Sequence, residues 1–256
     1  MRDFPQELVD LVIDKLAESV PPAQISDYST ISRQWVEQTQ KYHFDTVLFR
    51  GSAGIRRWRD TIEPNPSGVS RHIRRIRWRD LDTLMDFYNH ICAFTRVVDM
   101  GITDCLFIHE GFQLAFLVPL GQRLERLDVT GESAILLPFA HFLSTLPHLR
   151  RLRARFLRIQ NSYDDSARSL PTIPCFESAN SLDLSLREYL PGNISWIPPT
   201  ARFCDLRVDV ECISVNHDLV NQWIRSSAQS LERFTVYDDG SDSTSAPRPI
   251  IPNLPL

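Results

Sequence analysis

The amino-acid sequence predicts an α/β solenoid, in which a small unit of three helices is followed by an irregular parallel sheet backed by helices. Three observations support this fold class. The first 45 residues have helical periodicity interrupted by prolines, a strand-like apolar pattern recurs every 25 residues or so, and helix-compatible segments lie between its copies. One strand and one helix cannot bury a core alone, so consecutive units must stack.

The N-terminal segment is predicted to form the three helices. Its first apolar residues recur at one-, three- and four-residue steps, which place them on one helix face: Leu8, Val9, Val12, Ile13 and Leu16. The Pro21-Pro22 pair ends this helix, because proline lacks a backbone donor and restricts the residue before it. A second series indicates two short helices around an aromatic anchor: Ile25, Tyr28, Ile31 and Trp35.

These residues also carry a family resemblance. Residues Phe4–Leu8, Ser29–Trp35 and Phe44–Val47 match the opening, middle and end of a known motif, with Phe4 replacing the usual Leu and Thr30 a usual apolar residue. The segment resembles an F-box in the version common among fungal proteins, and the match covers about a fifth of the chain. The alternative is an ordinary helical cap in which Trp35 belongs to the core.

The resemblance implies a partner and a docking surface. F-boxes dock on the Skp-type adaptor subunit of a cullin-RING (SCF-type) ubiquitin ligase. Carried over by match, the adaptor-binding residues would be Pro5, Glu7, Leu8, Ile13, Leu16, Ile31 and Trp35. Apolar and aromatic anchors concentrate binding energy at interfaces, and Trp35 is expected to contribute most.

Beyond a turn-rich connector, an apolar-x-x-apolar-x-apolar pattern recurs along the chain. Its copies are Ile73/Ile76/Trp78, Leu124/Leu127/Val129, Leu149/Leu152/Ala154, Ala179/Leu182/Leu184, Phe203/Leu206/Val208 and Leu231/Phe234/Val236, with a looser copy at Val98/Met100. The spacing is typical of leucine-rich repeats. Helix-compatible segments lie between copies, at Asp80 to Phe94, Leu136 to Leu146 and Val215 to Ala228. Many fungal F-box proteins resemble this arrangement, with degenerate leucine-rich repeats after the box; an open doubly wound sheet is the alternative.

The predicted organisation has four parts. Residues 1–50 form the F-box-like helical domain, residues 51–72 the connector, residues 73–237 the leucine-rich-repeat-like domain and residues 238–256 a flexible tail. The tail is polar and rich in turn-forming residues, and it ends in scattered prolines.

Strand alternation places polar side chains on the concave face of the predicted sheet. If the apolar residues of each copy point inward, the residues between them point outward. We predict a substrate-binding surface there, formed by Arg75, Arg77, Arg79, Arg126, Asp128, Arg151, Arg153, Arg155, Asp183, Arg207, Arg233 and Tyr237. Arginine forks suit carboxylate and phosphate oxygens, so an acidic or phosphorylated protein segment is the expected ligand. The alternative is a solvated face on which Arg and Asp pair across strands.

Composition and motifs exclude several function classes. The 256-residue chain is 43% hydrophobic and 23% charged with a net charge of −4, which is typical of a globular protein and gives no whole-chain case for nucleic acid. No apolar run has the length of a membrane span, and no signal peptide opens the chain. Phosphate-binding, dinucleotide, nucleophile-elbow and zinc-protease motifs are missing, and the five cysteines lack metal-ligand spacing. No catalytic residue, metal or cofactor is therefore predicted.

Taken together, the sequence predicts a non-enzymatic adaptor located in the cytoplasm, the nucleus or both. The F-box-like segment would dock on a Skp-type adaptor, and the repeats would bind a protein substrate for ubiquitin transfer. Two alternatives are a stand-alone repeat scaffold for protein–protein interaction and a nucleic-acid-binding protein that uses the arginine rows.

Overall fold

A computed structural model gives the three-dimensional structure of the chain. The described residues are 5–61, 69–79, 94–103, 106–107, 118–160, 173, 175–188, 196–237 and 249–250.

Three α-helices and a 3-10 turn form the N-terminal helical unit. They are α1 (Gln6–Ala17), α2 (Pro22–Ile25), the 3-10 turn Ser26–Thr30 and α3 (Arg33–His43). Pro22 opens α2, where its missing N–H has no intrahelical partner. Val9, Ile13 and Ile25 form a small buried core of their own, against which Trp35 and Tyr42 pack.

The rest of the described chain is organised around one sheet. Its strands are β1 (Thr46–Arg50), β2 (Arg75–Arg79), β3 (Asp99–Thr103), β4 (Leu106–Phe107), β5 (Arg126–Ile135), β6 (Arg151–Gln160), β7 (Ser181–Glu188), β8 (Asp205–Asp209), β9 (Arg233–Tyr237) and β10 (Pro249–Ile250). The order is β1-β2-β3-β5-β6-β7-β8-β9-β10, with β4 pairing β5. The pairs are parallel except β9 with β10.

The strand order distinguishes the two predicted architectures. In a doubly wound sheet the order reverses at a switch point, whereas in a solenoid each unit lies beside its neighbours in the chain. From β1 to β3 and from β5 to β9, each strand pairs with the next one in the sequence. The prediction of an open, parallel, solenoid-like α/β arrangement is confirmed at this level.

Helices cover one face of the sheet. They are α4 (Gly51–Thr61), α5 (Val118–Gly121), α6 (Leu136–Ser144), α7 (Cys175–Ser178) and α8 (Val210–Ser226). The predicted helical segments 136–146 and 215–228 match α6 and α8, and α8 is kinked at Asn216. The third predicted segment lies outside the described residues except for Phe94.

The main core consists of stacked layers between the sheet and these helices. One layer, in register across six strands, is Ile76, Met100, Leu127, Leu152, Leu182 and Leu206. The next is Trp78, Ile102, Val129, Ala154, Leu184 and Val208. All twelve side chains are buried, and each large aliphatic one stabilises the fold by about 1.5–3 kcal/mol.

A repeated backbone contact fixes the step from one strand to the next. The carbonyl of the residue before a strand accepts hydrogen bonds from two consecutive N–H groups at the start of the following strand. Arg150, for example, accepts from Asn180 and Ser181 at 2.9 and 3.1 Å. The other acceptors are Asp45, Arg74, Val98, Glu125, Asn180 and Cys204. This contact aligns the starts of the strands, so the polar side chains line up in rows.

Two observations bear on the predicted boundaries. The sheet begins at β1, inside the segment 1–50, and Phe49 of β1 packs in the main core. Pro249 and Ile250, inside the segment 238–256, pair with Tyr237 and Val236. The division into four domains stays a prediction.

Candidate functional site

The polar face of the sheet, opposite the helices, carries the predicted rows of charged side chains. The first row is Arg75, Asp99, Arg126, Arg151, Ser181, Asp205 and Arg233, and the second is Arg77, Gly101, Asp128, Arg153, Asp183, Arg207 and Thr235. The third contains Arg79, Thr103, Thr130, Arg155 and Ser185, and beyond them Asp209 pairs with Tyr237. The strand register agrees with the sequence prediction, and the substrate-binding role of these residues stays a prediction.

Asp99 was not predicted, and it organises the first part of the polar face. Its carboxylate accepts a 2.7 Å hydrogen bond from Arg77 on β2 and lies 3.4 Å from Nε of Arg126 on β5. The residue is buried, so its charge needs these cationic partners. The loose apolar copy at Val98/Met100 was the only signal for this strand, which is why its outward residues were omitted.

Gly101 makes room for Arg77. A Cβ added to Gly101 would lie 2.5 Å from Cδ of Arg77, so any larger residue would displace that side chain. Glycine in a strand interior often marks such a close approach. The Arg77 side chain therefore extends from β2 over Gly101 of β3 and reaches Asp99, which is also on β3.

Asp183 organises the second part of the polar face. It is 3% exposed, and it lies 3.2 Å from Nη2 of Arg155 and 3.4 Å from Nε of Arg153. Tyr237 donates its hydroxyl to Asp183 at 2.8 Å, and the guanidinium of Arg155 lies 5.3 Å from the centroid of the Tyr237 ring. Four side chains from three strands thus form one polar cluster, in which Asp183 and Tyr237 are buried and Arg153 and Arg155 are partly exposed.

Further ion pairs neutralise other arginines of the rows. Arg75 donates to Asp45 at 2.7 Å, and Arg153 also contacts Asp128 at 3.3 Å. Asp205 pairs with Arg207 at 3.3 Å and with Arg233 at 3.6 Å. Arg–Asp pairing, the alternative considered for this face, therefore neutralises many of its arginines.

Two exposed arginines keep their charge available. Within the described part of the chain, Arg79 and Arg151 form no ion pair. Arg151 faces Arg126 directly across the β5–β6 pair, with no acid between them in that row. A depression of about 200 Å³ lies here, lined by Arg77, Asp99, Arg126, Leu127, Asp128, Arg151 and Arg153. Its four arginines outnumber its two aspartates, so it favours an anion.

A second surface lies on the helical unit. Leu8, Leu11 and Val12 of α1 are 50%, 56% and 46% exposed, and Ile31, after the 3-10 turn, is 59% exposed. We call these four residues the apolar set. Leu11 and Val12 follow Leu8 by three and four positions, so the three side chains share one side of α1. Single exposed apolar residues are ordinary, whereas three on one helix face are an unusual concentration of exposed apolar surface.

The predicted adaptor-binding residues divide between surface and core. Pro5, Glu7 and Leu8 are exposed, as is Ile31, and Leu16 is half-buried. Ile13 is fully buried in the helical core, so the prediction of direct contact by Ile13 needs correction. Its i−4 neighbour Val9 is buried with it, which shows that this row is the inner face of α1.

Trp35 has a mixed position. It is half-buried, packs against the helical core and has its ring centroid 6.3 Å from that of Tyr28. Leu11 and Val12 were not among the predicted contacts, although their helical spacing from Leu8 is visible in the sequence. Thr30, the departure from the usual pattern, donates its hydroxyl to the Asp27 carbonyl at 2.7 Å. Phe4 lies outside the described residues.

A partly buried group of hydrogen bonds around Asp14 holds α1 against α3. Tyr42 donates a 2.6 Å hydrogen bond to Asp14, Gln38 donates to the same oxygen, and Lys41 lies 3.5 Å away. The Tyr42 hydrogen bond, helped by Gln38 and Lys41, lowers the pKa of Asp14 despite its partial burial. Burial, together with the bond to Asp14, raises the pKa of Tyr42 to about 12. The contact orients the helix that bears the apolar set.

Comparison with known protein families, curated proteins and solved structures finds no match to this chain. Over the described residues, no group of three or more His, Cys, Asp or Glu side chains is placed to hold a metal ion. None of the described helices combines the length and apolar character needed to cross a membrane.

Proposed function

We propose that this chain is a substrate-recognition adaptor of an SCF-type, cullin-RING ubiquitin ligase, with an F-box-like N-terminal unit and degenerate leucine-rich repeats. The helical unit docks on a Skp-type adaptor, and the polar face of the repeats binds a protein substrate. The chain carries out no chemistry itself; it brings a substrate near the ligase, so that proximity accelerates the transfer.

The observation that carries the proposal is the apolar set. A small helical unit with its own core presents Leu8, Leu11 and Val12 outward from α1, within the segment that resembles an F-box. Burying these side chains in an interface would contribute about 25 cal/mol for each Å² of apolar surface removed from water. A partner with a complementary apolar groove is the occupant that fits this surface.

The polar face supports a protein rather than a nucleic acid as the second ligand. Most of its arginines are neutralised by nearby aspartates, so it lacks the uniform positive potential that drives phosphate-backbone binding. The depression around Arg126 and Arg151 retains a local positive excess and suits one acidic or phosphorylated side chain.

Co-purification tests the proposal. The full chain, expressed with a Skp-type adaptor of fungal origin, is expected to retain the adaptor through affinity purification and gel filtration. Replacing Leu8 and Leu11 together by Gln should abolish retention, because both side chains are exposed and Gln preserves helix propensity. Leu48→Gln is the control, since Leu48 is 46% exposed, close to the 50% of Leu8, but lies on β1. A well-folded chain that fails to retain the adaptor would remove the ligase function.

A further inference from the structure

A groove of about 650 Å³ separates the helical unit from the sheet. The helical side contributes Asp10 of α1 and Glu37 and Lys41 of α3. The sheet side contributes His72, Arg74 and Arg96, which precede β2 and β3. Among the described residues, the groove shares no lining residue with the depression around Arg126 and Arg151.

The charges of this groove are unevenly satisfied. Glu37 is occupied by Arg71, whose Nη2 lies 2.7 Å away, and Lys41 has its acidic partner Asp14 at 3.5 Å. Arg74 and Arg96 are exposed and, among the residues that the structure describes, form no ion pair. Two guanidinium groups thus face the groove with their charge available.

The pKa of His72 is lowered by burial and by the nearby positive charges. Burial lowers its pKa first, then Arg71, with smaller contributions in the same direction from Arg96 and Lys41; only Glu37 opposes them. Several cations therefore lie close enough to one imidazole to disfavour its protonation, and a bound anion would relieve that repulsion.

We propose that the groove binds a small polyanion, a molecule with two or more phosphate or carboxylate groups. Its volume is within the range of small-molecule sites. Among the described residues that line it, Val98 alone has an apolar side chain, and the others offer charged, imidazole or amide groups to a ligand. Guanidinium groups recognise phosphate and carboxylate oxygens through paired hydrogen bonds.

Such a ligand would join two separately packed parts of the molecule. The helical core and the main core are distinct clusters, and the cations belong to both sides. An anion held by Lys41 on α3 and by Arg74 or Arg96 beside the sheet would cross-link them. The site itself does not depend on the proposed ligase function.

Titration calorimetry of the full chain with inorganic tripolyphosphate and with citrate tests the proposal. Binding of at least one of them is expected, and binding of only one of the two identifies phosphate or carboxylate as the recognised group. Nuclear magnetic resonance of the histidine rings should show the pKa of His72 rising when the anion is bound, because the anion offsets the surrounding cations.

Paired variants locate the site. Replacing Arg74 and Arg96 together by Gln should weaken binding by about tenfold or more, since both groups would contact the anion. The double variant Arg202→Gln with Arg225→Gln removes the same charge from exposed positions elsewhere and should keep the wild-type affinity. Asp10→Asn should tighten binding by removing a like charge from the groove. Wild-type chain that binds neither anion at millimolar concentration, or equal affinity of the Arg74/Arg96 variant, would overturn the proposal.

Discussion

Tyr237 on β9 donates its hydroxyl to Asp183 on β7 at 2.8 Å, across the intervening strand β8. The bond links units 54 positions apart in the chain and belongs to a cluster in which Arg153 and Arg155 neutralise the same buried carboxylate. The last strand of the parallel sheet is thereby tied to the middle of the polar face.

Tyr237→Phe is expected to lower the free energy of unfolding by about 1–2 kcal/mol, because it removes a hydrogen bond to a buried charged group. Urea unfolding followed by circular dichroism measures the change. Tyr28→Phe, a hydroxyl deletion in the helical unit, should cost much less. Equal changes in the free energy of unfolding would show that the hydrogen bond from Tyr237 to Asp183 does not stabilise the fold.

Gly101→Ala is expected to destabilise the fold by about 1 kcal/mol, although Ala is ordinarily the better strand residue, because the new methyl group displaces Arg77 from Asp99. The control is the same change in an Arg77→Ala background, where the three nearest atoms to the new methyl group are removed. A double-mutant cycle should therefore give a coupling free energy above about 0.5 kcal/mol. Simple additivity would contradict the close approach.

Asp14→Asn is expected to loosen the contact between α1 and α3 by about 1 kcal/mol at neutral pH, a value reduced by the partial exposure of the site. The folded-state pKa of Asp14 is lowered, so its contribution is complete above the unfolded pKa of about 4 and is lost as the pH falls through the folded pKa. Hydrogen exchange of α1 and α3 amides should differ between the wild-type and Asp14→Asn chains at pH 7, and the difference should vanish once the pH lies below the folded-state pKa of Asp14. Asp27→Asn, at an exposed turn position, should leave exchange unchanged at both pH values.

Ionisation of Tyr42 weakens the contact between α1 and α3 at high pH. Its pKa is raised to about 12 in the folded chain, above the unfolded value of about 10, so its contribution is complete below pH 10 and is lost as the pH rises towards 12.

Reversing Arg79 and Arg151 to Glu is expected to abolish capture of acidic or phosphorylated protein segments by the polar face. These two arginines are the cleanest positions to change, since neither takes part in an ion pair within the described structure and the fold should be retained. Pull-down from phosphatase-treated and untreated lysates, compared by mass spectrometry, measures the effect. The same proteins recovered with wild-type and variant chains would rule out this binding surface.

The strands and their register could be predicted from the sequence because two features combine. Alternation of apolar and polar residues sets which side chains face the core, and the constant spacing of the copies aligns each strand with its neighbour. Leu127, Leu152 and Leu182, for example, lie in one buried layer, as their pattern predicts. Asp99 escaped prediction because its copy of the pattern is incomplete and includes Gly101.

The candidate sites were less predictable. Val9 and Val12 are the same residue type at helical spacing, yet the first is buried and the second exposed, since only the packing of α3 and Ile25 decides which side of α1 is inner. The cluster at Asp183 depends on a contact across the intervening strand β8, and the groove at His72 depends on the approach of helical residues more than thirty positions away in the chain. Local patterns contain neither piece of information.

The central claim, that the apolar set docks on a Skp-type adaptor, is tested most directly by the affinity of the purified full chain for a purified adaptor. Titration calorimetry is predicted to give a dissociation constant that rises at least about a hundredfold when Leu8 and Leu11 are both replaced by Gln, a loss of about 2.7 kcal/mol, and stays unchanged in Leu48→Gln. Equal affinity of the Leu8/Leu11 variant, or no binding by a wild-type chain whose amide exchange shows it to be folded, would contradict the account.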